Sequence, residues 1–228
     1  MIIDTWYDEG MKFAVIFDMD GVLIDSVALN WQAYNQVLGR EGLHVSADEM
    51  HQYVGMALED QVRLFQKNLG FTMDAATFDA ETAVIKESLF KAITPKPGVL
   101  DLLIALQQEG VPRAVATSTD RDTMQRRLHA AGIYDYFDDF VTEENVTAHK
   151  PHPEVYLAAA ARLGCQPIQC TVIEDAPAGL QAAKAAGMAC VVVATPYVPK
   201  EYVDQADLLV PSLETVTVAT LRGMIPKE

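Results

Sequence analysis

The sequence predicts an α/β fold: a doubly wound, Rossmann-like parallel sheet with a second, helical unit inserted after its first strand. Two observations lead to this fold class. Short apolar runs recur along the chain, and segments with helical spacing separate them. One long stretch near the amino terminus, residues 26–94, contains helical patterns only. The alternation predicts the sheet, and its interruption predicts the insert.

The predicted strands are short and almost continuously hydrophobic, which is typical of strands buried on both faces. They are residues 12–18, 113–117, 139–142, 171–174 and 190–194, with an edge strand at 207–210. The helices expected between them cover residues 98–108, 123–131, 154–163 and 177–186, each followed by a glycine, as is common at helix ends. Strands that alternate with helices in this way form a parallel sheet.

The insert is predicted from four stretches with apolar residues at helical spacing, namely residues 27–42, 46–55, 57–70 and 75–93. Pro95 and Pro97 suit a stiff connection back to the sheet. The expected domains are therefore a core of residues 11–25 and 95–228 and a helical unit of residues 26–94, with residues 1–10 as an amino-terminal extension.

The composition of the chain limits the classes of partner that it is expected to bind. Half of the 228 residues are hydrophobic, which suffices for a substantial core, and the formal net charge is −15. Nucleic acids and anionic membranes bind clustered Lys and Arg, so neither is expected as a partner. Three cysteines are too few for a disulfide framework, and the first ten residues lack the basic start of a secretory signal. A cytoplasmic protein is therefore expected.

Polar side chains follow several of the predicted strands. They are Asp18 and Asp20 after the first, Thr117 and Ser118 after the second, Glu174 and Asp175 after the fourth, and Lys150 on a loop that enters a helix. Ligands of open α/β sheets bind beyond the carboxyl ends of the strands, so we expect these residues to converge. Each has a common structural explanation, because Asp, Ser and Thr often cap helices or form turns.

The joint placement of four carboxylates is harder to explain structurally. Two like charges 4 Å apart repel by about 4 kcal/mol at an effective dielectric constant of about 20. A cation is therefore expected among them. Oxygen ligands from Asp and Glu favour Mg²⁺, whereas zinc would require clustered Cys and His.

The nine residues from Asp18 to Ser26 resemble the first motif of the haloacid dehalogenase superfamily. Thr117, Lys150 and the pair Glu174 and Asp175 match its second, third and fourth motifs in order. The resemblance covers residues 13–210. The insert is similar to the four-helix cap of the subgroup that contains β-phosphoglucomutase, phosphoglycolate phosphatase and sugar phosphatases.

The resemblance implies a role for each motif residue. Asp18 would be the nucleophile that takes the phosphoryl group, and Asp20 would protonate the leaving group and then activate water. The implied Mg²⁺ ligands are Asp18, the backbone carbonyl of Asp20, Asp175, and Glu174 either directly or through water. The implied phosphate contacts are Asp18, Thr117, Ser118 and Lys150, of which Thr117 and Lys150 also count as catalytic.

Departures from the family pattern limit the reactions that the chain is expected to catalyse. Dehalogenases of the superfamily lack the second aspartate, so Asp20 favours phosphoryl chemistry. The mutase branch carries a cap histidine where this chain has Asn30, and an arginine shortly after the glycine matched by Gly55. Loss of both groups favours a phosphatase that acts on a phosphomonoester, and a phosphosugar mutase is the alternative.

The expected partner is a small phosphorylated metabolite, such as a hexose phosphate, a deoxyhexose phosphate or phosphoglycolate, and the chain is expected to be a monomer or weak homodimer. Candidate specificity residues are Asn30, Met56, Lys86 and Arg121, whereas Trp31 and Tyr34 are more typical of the core of the insert. A phosphoacceptor signalling domain is the non-enzymatic alternative, and the insert and Asp20 argue against it.

Overall fold

The computed structural model describes residues 13–46, 49–53, 56, 58–195 and 204–226. The predicted amino-terminal extension and Gly55 lie outside this part of the chain. None of the helices in the described ranges has the length and apolar character that a membrane span needs.

The sheet forms as the alternation predicts. Its six strands are β1 (Ala14–Phe17), β2 (Arg113–Ala116), β3 (Asp139–Val141), β4 (Cys170–Glu174), β5 (Ala189–Val193) and β6 (Leu208–Val210). They pair in parallel in the order β3-β2-β1-β4-β5-β6. All four residues of β1 are buried, as a central strand requires. The prediction of a parallel α/β sheet is confirmed.

Helices cover both faces of this sheet and build the insert. They are α1 (Ser26–Leu38), α2 (Leu58–Leu69), α3 (Ala75–Phe90), α4 (Val99–Gln108), α5 (Arg121–Ala130), α6 (Glu154–Arg162), α7 (Pro177–Ala185) and α8 (Val218–Gly223). The glycines that follow α4 to α7 all have positive φ angles between 66° and 74°. This left-handed conformation is readily adopted by glycine and ends a helix.

The core has a layer on each face of the sheet because successive strand residues point to opposite sides. Val15 and Phe17 of β1 pack into the layer that includes α4, α5 and α8. Ala14 and Ile16 pack into the other layer, with α6 and α7. Small alanines of α6 and α7 contribute much of this layer.

The insert has a hydrophobic cluster of its own, in which Trp31, Tyr53, Phe65 and Phe78 are buried. The described part of residues 26–94 contains three α-helices, and the predicted helical stretch 46–55 contains the short 3-10 turn Met50–Gln52. The two connections to the sheet lie side by side, since the Lys96 backbone N–H donates to the Leu23 carbonyl at 2.9 Å. The chain therefore leaves and re-enters the sheet at neighbouring positions.

Candidate active site

Three buried carboxylates meet at the carboxyl ends of β1 and β4. Asp18, Glu174 and Asp175 each offer an oxygen, and these oxygens lie within 4.8 Å of one another. The Asp18 backbone N–H donates to the Ile173 carbonyl at 2.9 Å, which extends the strand pairing and brings Asp18 beside the end of β4. The sheet itself therefore assembles the cluster.

Gly21 allows the turn after β1 to approach this cluster. Its φ of +88° suits glycine, and a Cβ atom there would lie 1.9 Å from Oδ2 of Asp175. Any side chain at position 21 would displace the Asp175 carboxylate.

Lys150 supplies the positive charge of the cluster. Its Nζ lies 2.6 Å from Asp18 Oδ1, 2.7 Å from Glu174 Oε1 and 3.2 Å from the Ala116 carbonyl oxygen. Burial alone would lower the pKa of Lys150, but the two carboxylates outweigh burial and raise the pKa above its ordinary value. Lys150 is therefore charged at neutral pH.

Glu174 is held by four donors. Its Oε1 accepts from Lys150 and from the Tyr156 hydroxyl, at 2.7 Å each. Its Oε2 accepts from the backbone N–H groups of Asp175 and Ala176, at 2.8 and 2.9 Å. Burial would raise the pKa of Glu174, but the Lys150 ion pair and these hydrogen bonds lower it overall, so this carboxylate stays ionised.

For the carboxylates of Asp18 and Asp175, ion pairs and hydrogen bonds do not offset the effect of burial on the pKa. Burial is the main reason why the pKa of Asp18 is raised well above its ordinary value, despite the opposing effect of Lys150. Burial and the Glu174 charge raise the pKa of Asp175 to about 7. The charges of Lys96 and Lys150 oppose this rise in the pKa of Asp175 without cancelling it, and a bound cation would relieve the remaining cost of ionising the cluster.

The donor set fits Mg²⁺, because all three ligands are hard carboxylate oxygens and no sulfur or imidazole belongs to the cluster. The residues that would hold the ion are Asp18 and Asp175, with Glu174 as a ligand either directly or through water. The predicted contribution of the Asp20 backbone carbonyl stays a prediction.

The side chain of Asp20 lies apart from the three-carboxylate cluster. Its Oδ2 accepts from the Thr119 hydroxyl at 2.8 Å, and its Oδ1 accepts from Arg127 at 2.9 Å. The buried Thr117 hydroxyl accepts from the Thr119 backbone N–H at 3.1 Å, and Ser118 is exposed beside it. The loop after β2 thus brings Thr117, Ser118 and Asp20 to one edge of the site.

The four candidate specificity residues lie in different surroundings. Lys86 is half-buried, with its Nζ 4.7 Å from the centroid of the Tyr34 ring, and it lines a cleft between α3 and α5. Met56 and Arg121 are exposed, and Asn30 is partly buried on α1. The structure brings none of the four to the carboxylate cluster by a hydrogen bond among the described residues. Trp31, by contrast, is part of the core of the insert, as its spacing indicates.

Gly179, on the first turn of α7, has a structural role that can be tested. A Cβ atom there would lie 1.6 Å from Glu174 Oε1. An alanine in a helix is ordinarily more stable than a glycine by about 1 kcal/mol. For Gly179→Ala we expect the reverse, a lower melting temperature and a loss of activity, because Glu174 must leave its four donors. Gly223→Ala on α8, where a Cβ atom would meet open space, is the matched control. A stable, fully active Gly179→Ala protein would contradict this account.

Comparison with curated proteins identifies relatives of the chain. Residues 15–193 match the family model for haloacid dehalogenase-like hydrolases. A fructose-1-phosphate phosphatase of Escherichia coli is 33% identical over 178 residues, which cover 76% of this chain and 92% of the relative. The chloroplastic protein SUPPRESSOR OF QUENCHING 1 of Arabidopsis thaliana is 36% identical over 203 residues, which cover 84% of this chain but only 18% of that protein.

Solved structures show the same fold. A putative β-phosphoglucomutase from Thermotoga maritima has a TM-score of 0.77 at 30% identity and covers 89% of this chain and 95% of its own. A haloacid dehalogenase-family hydrolase from Deinococcus radiodurans was solved with bound phosphate and sodium. It has a TM-score of 0.82 at 26% identity, and the match covers 96% of this chain and 99% of that protein. The chain therefore belongs to the haloacid dehalogenase-like hydrolase family, and its relatives place it among the phosphatases of that family.

Proposed function

We propose that the chain is a Mg²⁺-dependent phosphatase that hydrolyses a small sugar phosphate through an aspartyl-phosphate at Asp18. The observation that carries the proposal is the buried group of Asp18, Glu174 and Asp175 around Lys150, at the edge of the sheet where ligands of this fold bind. The Deinococcus relative supports it, because that protein was solved with phosphate bound.

Asp18 is suited to act as the nucleophile. A carboxylate needs no base to attack phosphorus once it is ionised. Burial favours the neutral form of Asp18, and the Lys150 ammonium 2.6 Å away together with a bound cation would favour the ionised form. The attack joins a carboxylate oxygen of Asp18 to the phosphorus. As the new O–P bond forms, the ester O–P bond breaks and its electron pair leaves on the substrate oxygen. Asp20 then supplies the proton that this oxygen needs.

In the second step Asp20, now a carboxylate, removes a proton from water, and the water oxygen attacks the phosphorus of the aspartyl-phosphate. Free phosphate departs and Asp18 is restored as a carboxylate. Lys150 and the loop carrying Thr117 and Ser118 would hold the phosphoryl oxygens during both steps. A bound Mg²⁺ would supply charge neutralisation between the carboxylates and the phosphoryl group.

The substrate class is inferred from the relatives and from the insert. The E. coli relative is named for fructose 1-phosphate, a phosphorylated sugar. We infer that residues 26–94 form a cap that closes over the site and contacts the sugar, since the core is occupied by the phosphoryl group. Phosphate release from a panel of hexose phosphates, hexitol phosphates, deoxyhexose phosphates and phosphoglycolate would rank the substrates.

Removal of the metal tests whether hydrolysis requires Mg²⁺. Hydrolysis of p-nitrophenyl phosphate should fall by about a hundredfold or more in EDTA, because the carboxylate excess then repels the phosphate dianion. Added Mg²⁺ should restore it, whereas Na⁺ at equal ionic strength should not. Full activity after exhaustive chelation would contradict the proposed cofactor.

A mutase is the second candidate, and the likeness to the putative β-phosphoglucomutase from Thermotoga maritima favours it. The presence of Asn30 on α1, at the position of the mutase histidine, argues for hydrolysis instead. Product analysis with a hexose 1-phosphate separates the two candidates: a phosphatase yields inorganic phosphate, and a mutase yields the isomeric ester.

A further inference from the structure

A charged pair joins the loop after β1 to helix α5. Nη1 of Arg127 lies 2.9 Å from Oδ1 of Asp20, although the two residues are 107 positions apart. The other oxygen of the same carboxylate accepts from the Thr119 hydroxyl at 2.8 Å. The side chains of Arg127 and Asp20 are 19% and 30% exposed, so solvent screens this pair less than it screens an ordinary surface ion pair. Both oxygens of Asp20 are therefore fixed by named partners.

Arg127 is in turn positioned by the insert. Its guanidinium carbon lies 4.1 Å from the centroid of the Phe90 ring, in the last turn of α3. A guanidinium group stacks favourably on an aromatic face, and this contact restricts its orientation. Arg127 and Phe90 also line the cleft of about 570 Å³ between α3 and α5. One arginine thus contacts both the insert and Asp20.

We propose that Arg127 is a positioning residue that holds the Asp20 carboxylate at the boundary between the sheet and the insert, where the leaving group departs. This inference rests on the proposed function, because it requires Asp20 to be the proton donor. In that step Asp20 enters as the protonated acid; the ester O–P bond breaks, its electron pair stays on the leaving oxygen, and the proton moves there from Asp20, which becomes the carboxylate that Arg127 holds. A misplaced Asp20 would therefore slow departure of the leaving group.

Two esters separate a positioning role from a merely structural one. A sugar leaves as a strongly basic alkoxide and depends on the proton from Asp20, whereas p-nitrophenolate is a weak base and depends on it far less. The sugar phosphate used is the one that the unaltered protein hydrolyses fastest in the panel above. Arg127→Ala should lower kcat/KM for this ester about tenfold or more, and for p-nitrophenyl phosphate less than about threefold.

Further variants test whether the loss is specific to the contacts with Asp20. Thr119→Val, which removes the second contact to Asp20 with little change in shape, should show the same selective loss. Arg127→Lys should recover part of it, since charge is kept but the planar fork is not. Arg126→Ala is the matched control, because Arg126 is exposed on the same helix and donates to Thr123 instead. Melting temperatures establish that each variant is folded.

Equal losses on both esters in folded Arg127→Ala and Thr119→Val would indicate a structural role and overturn the proposal. Unchanged or increased hydrolysis of the sugar phosphate in both variants would overturn it as well, because Arg127 would then not support Asp20. If the unaltered protein hydrolyses neither ester, the proposed function itself fails, and the inference fails with it. That result is distinct from a failure seen only in the variants.

Discussion

Asp18→Asn is expected to reduce phosphate release by a factor on the order of 10⁴ or more while the protein remains folded. The amide is neutral and a poor nucleophile, so no aspartyl-phosphate can form. Folding should tolerate the change, because burial raises the pKa of Asp18 and its charge is therefore unfavourable in the folded state. Lys150 keeps Glu174 at 2.7 Å as its partner.

The measurement combines steady-state phosphate release with acid quench of a radiolabelled ester. The unaltered enzyme should retain label on the protein, and Asp18→Asn should retain none. Asp122→Asn, which changes an exposed aspartate on α5, is the matched control and should keep full activity. Turnover by Asp18→Asn at even one-hundredth of the unaltered rate, about 3 kcal/mol of lost transition-state stabilisation, would point to another nucleophile.

The sheet could be predicted from the sequence because its strands are buried on both faces. Runs such as residues 190–194 are almost purely apolar and β-branched, and few other structures accommodate them. Helix ends were marked by glycines such as Gly132, which adopts φ of +69°. The structure of residues 46–55 is harder to predict from the sequence, because helical spacing in a short polar segment is a weak signal without tertiary contacts.

The motif residues of the site were also predictable, because each follows a strand and the parallel sheet brings the strand ends together. Tyr156, Gly179 and Arg127 could not be predicted as site residues from the sequence. Their roles depend on contacts with Glu174 and Asp20 that only the folded chain creates. Tyr156 did carry one signal, a polar hydroxyl on the buried face of α6, where a hydrogen-bond partner is expected.

Asp175→Asn is expected to abolish the metal-dependent activity yet to stabilise the metal-free protein at neutral and higher pH. Burial and the Glu174 charge raise the pKa of Asp175 to about 7, from 3.8. The folded state therefore binds more protons than the unfolded state between these values, so the stability of the metal-free protein falls as pH rises through this window. Above it, the penalty is constant and amounts to a few kcal/mol.

The neutral asparagine removes this penalty, so the difference in melting temperature between Asp175→Asn and the unaltered protein should grow between pH 5 and pH 8 in EDTA. The increase corresponds to about two pKa units, or about 3 kcal/mol, which predicts a change of several degrees for a chain of this size. Mg²⁺ should raise the melting temperature of the unaltered protein at pH 8 and leave that of the variant unchanged, because a bound cation stabilises only the state that holds it. A difference in melting temperature that does not depend on pH would contradict the electrostatic origin of the effect. The buried carboxylate thus lowers the stability of the empty site for the same reason that it would bind the ion.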